Sequence, residues 1–198
     1  MWGSIAFVDL LLARLAYVVW VGYTLKMQDK EQRYTTRYGV EGAFLRFRTI
    51  SNWLMLWDSA AFIALNLLTI DTMHLPVPRL LLATAGVVIA LIGLGVKVWA
   101  TRTLGPQSYH WHNFFVPKVP TRPNPPGPYK YLSNPMYGVG YLQTYGLALL
   151  CSSWYGLIAS GFMQLSIYAF NDLVETPHYL ALLRTGEHKA PRDGLASV

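Results

Sequence analysis

Five apolar stretches, separated by polar segments, dominate the pattern of side chains along the chain. They run over Ile5–Leu25, Trp53–Ile70, Leu80–Ala100, Met136–Cys151 and Trp154–Leu173. A helix needs about 20 apolar residues to cross a hydrocarbon core of roughly 30 Å, and each stretch reaches or approaches that length. Only Ser152 and Ser153 separate the last two stretches. The pattern therefore predicts an all-α, polytopic membrane protein with about five transmembrane helices, the last two forming a tight hairpin.

Composition favours a single membrane domain over residues 1–198. Of the 198 residues, 53% are apolar and only 13% are charged, whereas a soluble domain has about 25% charged residues. These proportions argue against a soluble enzyme and against a disordered chain. The single cysteine, Cys151, excludes a disulfide framework and a cysteine-based zinc cluster. Because the net charge of +6 lies in a few segments between apolar stretches, we expect no nucleic-acid partner.

Basic residues are divided unevenly between the two sides of these predicted spans. Thirteen of the sixteen Lys and Arg residues lie in segments 26–50, 101–135 and 174–198, while the opposite side has Arg79 alone. Since cytoplasmic loops carry an excess of Lys and Arg, the N-terminus is predicted outside and the C-terminus in the cytoplasm. The membrane would be a bacterial inner membrane or the endoplasmic reticulum. Loop 26–50, with six basic residues, is expected to contact anionic lipid head groups.

Few charged residues fall inside the predicted spans, and three of them are Arg14, Asp58 and Lys97. Charges are costly in lipid, so each has to face another helix or reach an interface. Lys97 lies near the cytoplasmic end of the third span, and we expect it to snorkel. Asp58 is expected to pair with Arg14 or Lys97, and a structural ion pair is favoured over a catalytic role.

The polar segment after the third span contains His110 and His112, followed by six of the twelve prolines between Pro117 and Pro128. Proline fixes φ, so this stretch is predicted to be extended and stiff, either as a lid or cofactor wall or as a spacer. Each histidine is either a proton acceptor near neutral pH or a hydrogen-bonded loop residue. No metal site is expected, because cysteines and neighbouring carboxylates are missing from this segment.

Two short motifs flank the last two spans. Asn134 and Pro135 are predicted to cap and open the fourth helix, whose free N–H groups would attract a carboxylate or phosphate, although capping alone also explains them. Asp172 and Glu175 are three residues apart and are predicted to share one face at the C-terminus of the fifth helix. Acidic groups there oppose the helix dipole, which indicates either a cationic ligand or pairing with loop arginines.

Gly93 and Gly95 lie within the third span. Small residues let a helix or a ligand approach the backbone closely, and helix packing is the commoner reason. No G-x-G-x-x-G motif follows a predicted strand, so a soluble dinucleotide-binding or Rossmann methyltransferase domain is excluded.

Taken in order, these motifs resemble the integral membrane S-adenosylmethionine-dependent methyltransferases, which include phospholipid N-methyltransferases and isoprenylcysteine carboxyl methyltransferases. The resemblance covers Gly93–Gly186, about half of the chain. Its Asn-Pro-Met-Tyr run is similar to the phospholipid branch, whereas the isoprenylcysteine branch usually has Arg-His-Pro. A second departure is that Glu175 precedes Thr176, where the family usually has Glu-Glu.

The resemblance implies an S-adenosylmethionine pocket between the ends of the third, fourth and fifth helices, within residues 93–186. The positions that match the family's cofactor-binding motifs are Gly93, Gly95, Tyr129, Asn134, Pro135, Tyr137 and Glu175. His110 falls where the isoprenylcysteine branch also has a loop histidine.

The expected activity is methylation of the amine of phosphatidylethanolamine or its methylated derivatives at the cytoplasmic face. Glu175 and His110 are the expected proton acceptors, and His112, Asp172 and Tyr141 are expected to contact the acceptor. The alternatives are carboxyl methylation of isoprenylcysteine, methylation of another small lipophilic acceptor, and a non-catalytic lipid-binding protein.

Overall fold

The computed structural model describes residues 2–116 and 126–189, and throughout these ranges the regular structure is helical. The helices are α1 (Trp2–Glu31), α2 (Arg33–Leu68), α3 (Arg79–Tyr109), α4 (Leu142–Leu150), α5 (Trp154–Phe170) and α6 (Thr176–Lys189). Short 3-10 turns cover His112–Phe114, Gly127–Lys130 and Val139–Tyr141, and a π-helical turn covers Asn171–Glu175. The all-α prediction is confirmed. Most of the proline-rich stretch, residues 117–125, lies outside the described residues.

Three helical segments are long and apolar enough to cross a membrane: Trp2–Glu31, Arg79–Gly105 and Trp154–Arg184. The described chain therefore supports three candidate spans where the sequence predicted five. The fourth predicted span is not one membrane-length helix, because α4 has nine residues and reaches only about 14 Å at ~1.5 Å per residue; the number of spans stays a prediction. The predicted hairpin is present, since a turn at 151–153 joins α4 to α5 as antiparallel neighbours.

The predicted loop 26–50 is a helical hairpin. α1 continues to Glu31, Gln32 takes a left-handed conformation (φ 50°), and α2 begins at Arg33. The buried side chain of Gln28 replaces a conventional cap, because its Oε1 accepts the backbone N–H groups of Tyr34 (3.1 Å) and Thr35 (3.2 Å). These bonds satisfy N–H groups that the first turn of a helix leaves unpaired. A kink at Gly39 then redirects α2.

α3 and α4 pack closely because glycines face the partner backbone. A Cβ atom on Gly86 would lie 2.6 Å from the backbone nitrogen of Leu150. A Cβ on Gly93 would lie 2.8 Å from the carbonyl carbon of Leu142. Neither position has room for a larger residue, so glycine is needed for the two backbones to meet.

α4 begins at Leu142, so the prediction that Asn134 and Pro135 open it is wrong. The preceding residues form short turns, in which the Gly138 N–H donates to the Asn134 carbonyl (2.9 Å) and the Gly140 N–H to the Pro135 carbonyl (2.8 Å). Gly138 and Gly140 are weak helix formers, which explains the late start. The N–H groups of Gly138 and Gly140 are therefore already paired.

α5 and α6 are continuous through the π-helical turn at Asn171–Glu175. Asp172 and Glu175 therefore do not lie at a helix C-terminus, and the predicted conflict with the helix dipole does not arise. A π turn adds a residue to the helical turn, so positions three apart no longer share a face. Asp172 is exposed and Glu175 is half-buried, which contradicts the predicted common face.

The charged residues of the apolar helices turn inward. Arg14 is 1% exposed and donates to Oδ2 of Asp58 at 3.0 Å, which confirms the predicted ion pair. The guanidinium also donates to the Tyr141 hydroxyl. Lys97 does not snorkel: it is half-buried, and its ammonium lies 5.8 Å from the centre of the Tyr141 ring.

The described parts of the three basic segments meet at one end of the bundle. Nδ1 of His178 lies 2.7 Å from Oδ1 of Asp29, and Nε2 of His110 lies 2.8 Å from Oδ1 of Asn52. That these segments lie on one side of a membrane stays a prediction, which these contacts support.

Candidate active site at the π-helical turn

The Glu175 carboxylate joins three separate segments at this end of the bundle. Its Oε1 accepts hydrogen bonds from the indole N–H of Trp111 and from the hydroxyl of Tyr137, the latter at 2.8 Å. Among the described residues nothing donates to Oε2. One oxygen is thus fixed by two aromatic donors, while the other is left for a ligand.

Local structure explains how each aromatic donor is held. Trp111 follows α3 in a left-handed conformation (φ 55°), which is unfavourable for a tryptophan by about 1–2 kcal/mol. Edge contacts with Phe170 (5.5 Å between ring centres) and Phe47 (6.1 Å) hold the indole in place. Tyr137 lies in the turn before α4, where its backbone N–H approaches Oδ1 of Asn134 at 3.4 Å.

Asn134 and Pro135 connect this turn to the π-helical turn. Nδ2 of Asn134 donates to Oδ1 of Asn171 at 3.1 Å, and Pro135 is fully buried. The Asn-Pro motif therefore positions Tyr137 against Glu175, a role that sequence reasoning assigned to helix capping.

Tyr129 lies in the 3-10 turn that begins at Gly127. Burial raises the pKa of Tyr129 to about 12, and the negative charge of Glu175 adds to the shift. The phenol is therefore protonated at neutral pH and available as a donor. Gly127 has φ 62° and a Cβ there would meet the Thr103 side chain at 2.5 Å, so this turn requires glycine.

The two glycines of α3 lie in different surroundings. Gly93 is buried against the backbone at the start of α4, whereas a Cβ on Gly95 would have nothing within 4 Å. Helix packing accounts for Gly93. The role in cofactor binding that the resemblance assigns to the pair stays a prediction.

Three other predicted residues lie apart from the hydrogen bonds at Glu175. The ring of His112 packs edge-on against Phe44, with 4.6 Å between the ring centres. His110 approaches Asn52 of α2. Asp172 accepts a hydrogen bond from its neighbour Asn171 at 3.0 Å and is exposed. Their predicted roles as proton acceptor or acceptor contacts stay predictions.

A cavity of about 430 Å³ lies next to this site, inside the helix bundle. Trp111 and Tyr137, the two donors to Glu175, are among the residues that line the cavity. Arg14, Asp58 and Lys97 also line it, together with the apolar side chains of α2 and α3. Tyr141, predicted to contact the acceptor, belongs to this lining and accepts from Arg14.

Sequence reasoning missed several of these features. Trp111 carries no motif of its own, and its bond to a residue 64 positions later has no local signal. The contact of His178 with Asp29 likewise joins residues 149 apart. The buried charges of Arg14, Asp58 and Lys97 were the one available signal for the cavity, since intramembrane charges tend to mark functional sites.

The fold and site define a helical protein with membrane-length helices, a carboxylate held by aromatic donors at one end, and an adjacent cavity with a charged floor. The sequence model of the phospholipid methyltransferase family matches residues 81–184, so the chain belongs to that family. The resemblance drawn from the motifs is thereby confirmed.

Similar proteins carry a consistent name. A phosphatidylethanolamine N-methyltransferase of Aspergillus niger is 30% identical over 167 residues, covering 79% of this chain and 15% of the relative. The enzyme of that name from Aspergillus flavus is 31% identical over 140 residues, covering 68% and 14%. One from Saccharomyces cerevisiae is 33% identical over 93 residues, covering 47% and 11%. The chain thus spans a small part of these relatives, and none of the solved structures matches it.

Proposed function

We propose that this chain transfers a methyl group from S-adenosylmethionine to the amine of a phospholipid, namely phosphatidylethanolamine or its methylated derivatives. The observation that carries the proposal is the Glu175 carboxylate, with one oxygen fixed by Trp111 and Tyr137 beside a cavity that combines apolar walls with charges. Family membership and the names of the relatives support the same reaction.

The residues around Glu175 suit S-adenosylmethionine. Oε2 of Glu175, with no donor among the described residues, is placed to accept from ribose hydroxyl groups or to face a cationic group. The rings of Tyr129 and Trp111 offer π-faces to a sulfonium or an adenine. The N–H groups of Gly138 and Gly140, in the turn before α4, already donate to backbone carbonyls and do not serve the cofactor carboxylate. When bound, the cofactor supplies a methyl group on a sulfonium sulfur, which keeps the electron pair of the broken carbon–sulfur bond.

The chain's own contribution is orientation and proton removal. A lipid ammonium must lose a proton before its nitrogen lone pair can form the new carbon–nitrogen bond. Glu175 is the proposed acceptor of that proton, because Trp111 and Tyr137 hold Oε1 and thereby fix the direction of Oε2. The two aromatic donors hold the carboxylate in place, and positioning supplies most of the acceleration.

The proposed location is the cytoplasmic face of a bacterial inner membrane or the endoplasmic reticulum. Thirteen of sixteen basic residues support this orientation. Six of them lie around the tip of the α1–α2 hairpin, where all six are exposed: Lys26, Lys30, Arg33, Arg37, Arg46 and Arg48. We propose that this tip contacts anionic lipid head groups.

Glu175→Gln tests the proposal, with Glu41→Gln as the matched control because Glu41 is exposed at the same end of the bundle. Cofactor affinity is measured by calorimetry, and transfer of labelled methyl to mixed lipids by thin-layer separation. The expected result is labelled mono-, di- or trimethylated ethanolamine lipid, with cofactor affinity in Glu175→Gln reduced by about tenfold or more.

Unaltered affinity and rate in Glu175→Gln would refute the role of this carboxylate. If the label appears on a prenylcysteine acceptor instead of lipid, the activity is carboxyl methylation rather than phospholipid methylation. Absence of both transfer and cofactor binding would favour the non-catalytic lipid-binding alternative.

A further inference from the structure

Exposed apolar side chains of two helices line part of the cavity. Its outer lining includes Ile63 of α2 and Leu91 and Leu94 of α3, which are 49%, 62% and 48% exposed. α2 packs mainly on α1 and α3 mainly on α4, whereas α2 and α3 hardly touch each other. We take the cavity mouth to be the gap between α2 and α3, which these apolar side chains border.

The floor of the cavity carries charges that the protein does not fully pair. Arg14 uses its guanidinium on Asp58, Tyr141, Ser166 and the Met163 carbonyl. Oδ1 of Asp58, a residue only 5% exposed, has no hydrogen-bond partner among the described residues. Leaving such a buried oxygen unpaired is costly, and native proteins seldom do so without a ligand or water.

Lys97 is the second unpaired group of the floor. Its ammonium faces the Tyr141 ring at 5.8 Å, and within the described ranges it makes no ion pair. Arg14, Asp58 and Lys97 together give the cavity a net charge of +1. In a low-dielectric site that charge favours an anionic ligand group.

We propose that this cavity binds one phospholipid with an amino head group, with the phosphodiester at Lys97, the amine at Oδ1 of Asp58, and the acyl chains passing between α2 and α3. The identity of the lipid as methyl acceptor rests on the proposed function. The phosphodiester balances the net charge of +1 on the floor, and the amine donates a hydrogen bond to the unpaired Oδ1 of Asp58. Trp111 and Tyr137 form the wall shared with Glu175, which places the head group beside the candidate active site.

Photolabelling in detergent, without cofactor, tests this site. The probe is phosphatidylethanolamine with a diazirine in one acyl chain, and labelled peptides are mapped by mass spectrometry. Labels are expected at the cavity mouth, in the parts of α2 and α3 around Ile63 and Leu91. Unlabelled phosphatidylethanolamine should compete about tenfold better than diacylglycerol, which lacks the phosphodiester and amine.

Variants of Lys97 test whether its ammonium group causes the preference for phosphatidylethanolamine over diacylglycerol. Lys97→Met should abolish the preference over diacylglycerol, and Lys97→Arg, which keeps the charge, should restore it. Lys130→Met is the matched control, because Lys130 is exposed outside the cavity; it should behave as the unmodified protein. A monodisperse Lys97→Met protein that retains the preference would overturn the proposal, as would labels confined to other helices.

Two further outcomes separate this site from the proposed function. If Lys97→Met still methylates lipid and its KM for the lipid acceptor is unchanged, the proposed lipid site is wrong, whereas the proposed function still holds. Cavity labelling that depends on Lys97, in a protein that transfers no methyl group, would support the site and overturn the function. Glycerophosphoethanolamine, which has no acyl chains, should compete poorly. Competition equal to that of phosphatidylethanolamine would show that the ligand is a soluble phosphoamine and would overturn the proposal that it is a lipid.

Discussion

Replacing Gly93 by alanine tests the contact between α3 and α4, on which the position of the candidate site depends. The new Cβ would lie 2.8 Å from the Leu142 carbonyl carbon and 3.0 Å from the Leu142 Cβ. Backbone atoms cannot rotate away, so the two helices must separate. Overpacking of this kind costs about 1–3 kcal/mol, and contact with backbone places Gly93→Ala at the upper end. Better helix propensity returns about 0.5–1 kcal/mol, leaving a net loss of about 2 kcal/mol.

Gly95→Ala is the matched control for stability. A Cβ there has nothing within 4 Å, so only the propensity gain of about 0.5–1 kcal/mol remains. The two variants should therefore differ by about 3 kcal/mol, which corresponds to roughly 6–12 °C in Tm for a chain of this length. Thermal unfolding of both purified variants in the same detergent, followed by tryptophan fluorescence, measures this difference.

Equal Tm values for the two variants would refute the packing account of Gly93. Cofactor affinity measured on the same samples addresses the other role of the pair. If Gly95 binds the cofactor as the resemblance implies, Gly95→Ala lowers cofactor affinity without lowering Tm. Unchanged affinity would show that Gly95 does not belong to the cofactor site.

Three further predictions concern charges. The phenolate absorbance of Tyr129, measured as the difference between the unmodified protein and Tyr129→Phe, should titrate near pH 12 rather than 10. The stability that this tyrosine contributes is therefore present below pH 10 and is lost as pH rises towards 12. A titration midpoint at pH 10 would contradict the burial of Tyr129. Arg14→Met should cost about 3–5 kcal/mol by leaving Asp58 buried and unpaired, and Asp58→Leu should restore most of this in the double variant; an unaffected single variant would contradict the ion pair. Neutralising Arg33 and Arg37 should weaken binding to anionic vesicles by about 1 kcal/mol per residue, and salt-independent, unchanged binding would contradict the proposed contact.

The sequence predicted the helical class and the Arg14–Asp58 pair for the same reason. Long apolar stretches have one stable solution in lipid, a helix that satisfies its own backbone. A charge within such a helix has to find a partner inside the bundle, and Asp58 was one of few groups available to Arg14. Lys97 was predicted wrongly because a position near a span end fits both snorkelling and an inward orientation.

Periodicity failed where the backbone departs from the regular helix. Asp172 and Glu175 share a face only at 3.6 residues per turn, and the π-helical turn removes that condition. Asn134 and Pro135 carry the pattern of a helix start, but Gly138 and Gly140 delay the helix to Leu142. In both cases the motif was identified correctly, but the local backbone geometry was predicted wrongly.

The sequence by itself determined that the chain is helical, largely apolar and basic at one end, and it marked Tyr137 and Glu175 as members of one family site. Only the tertiary structure decided that Trp111 and Tyr137 donate to the same oxygen of Glu175, and that the cavity of Asp58 and Lys97 lies behind them. Hydrophobic period and capping signals act over a few residues, because they arise from backbone geometry. A site whose hydrogen bonds join residues 38 and 64 positions apart depends instead on how helices pack, and that packing is set by contacts that no local pattern records.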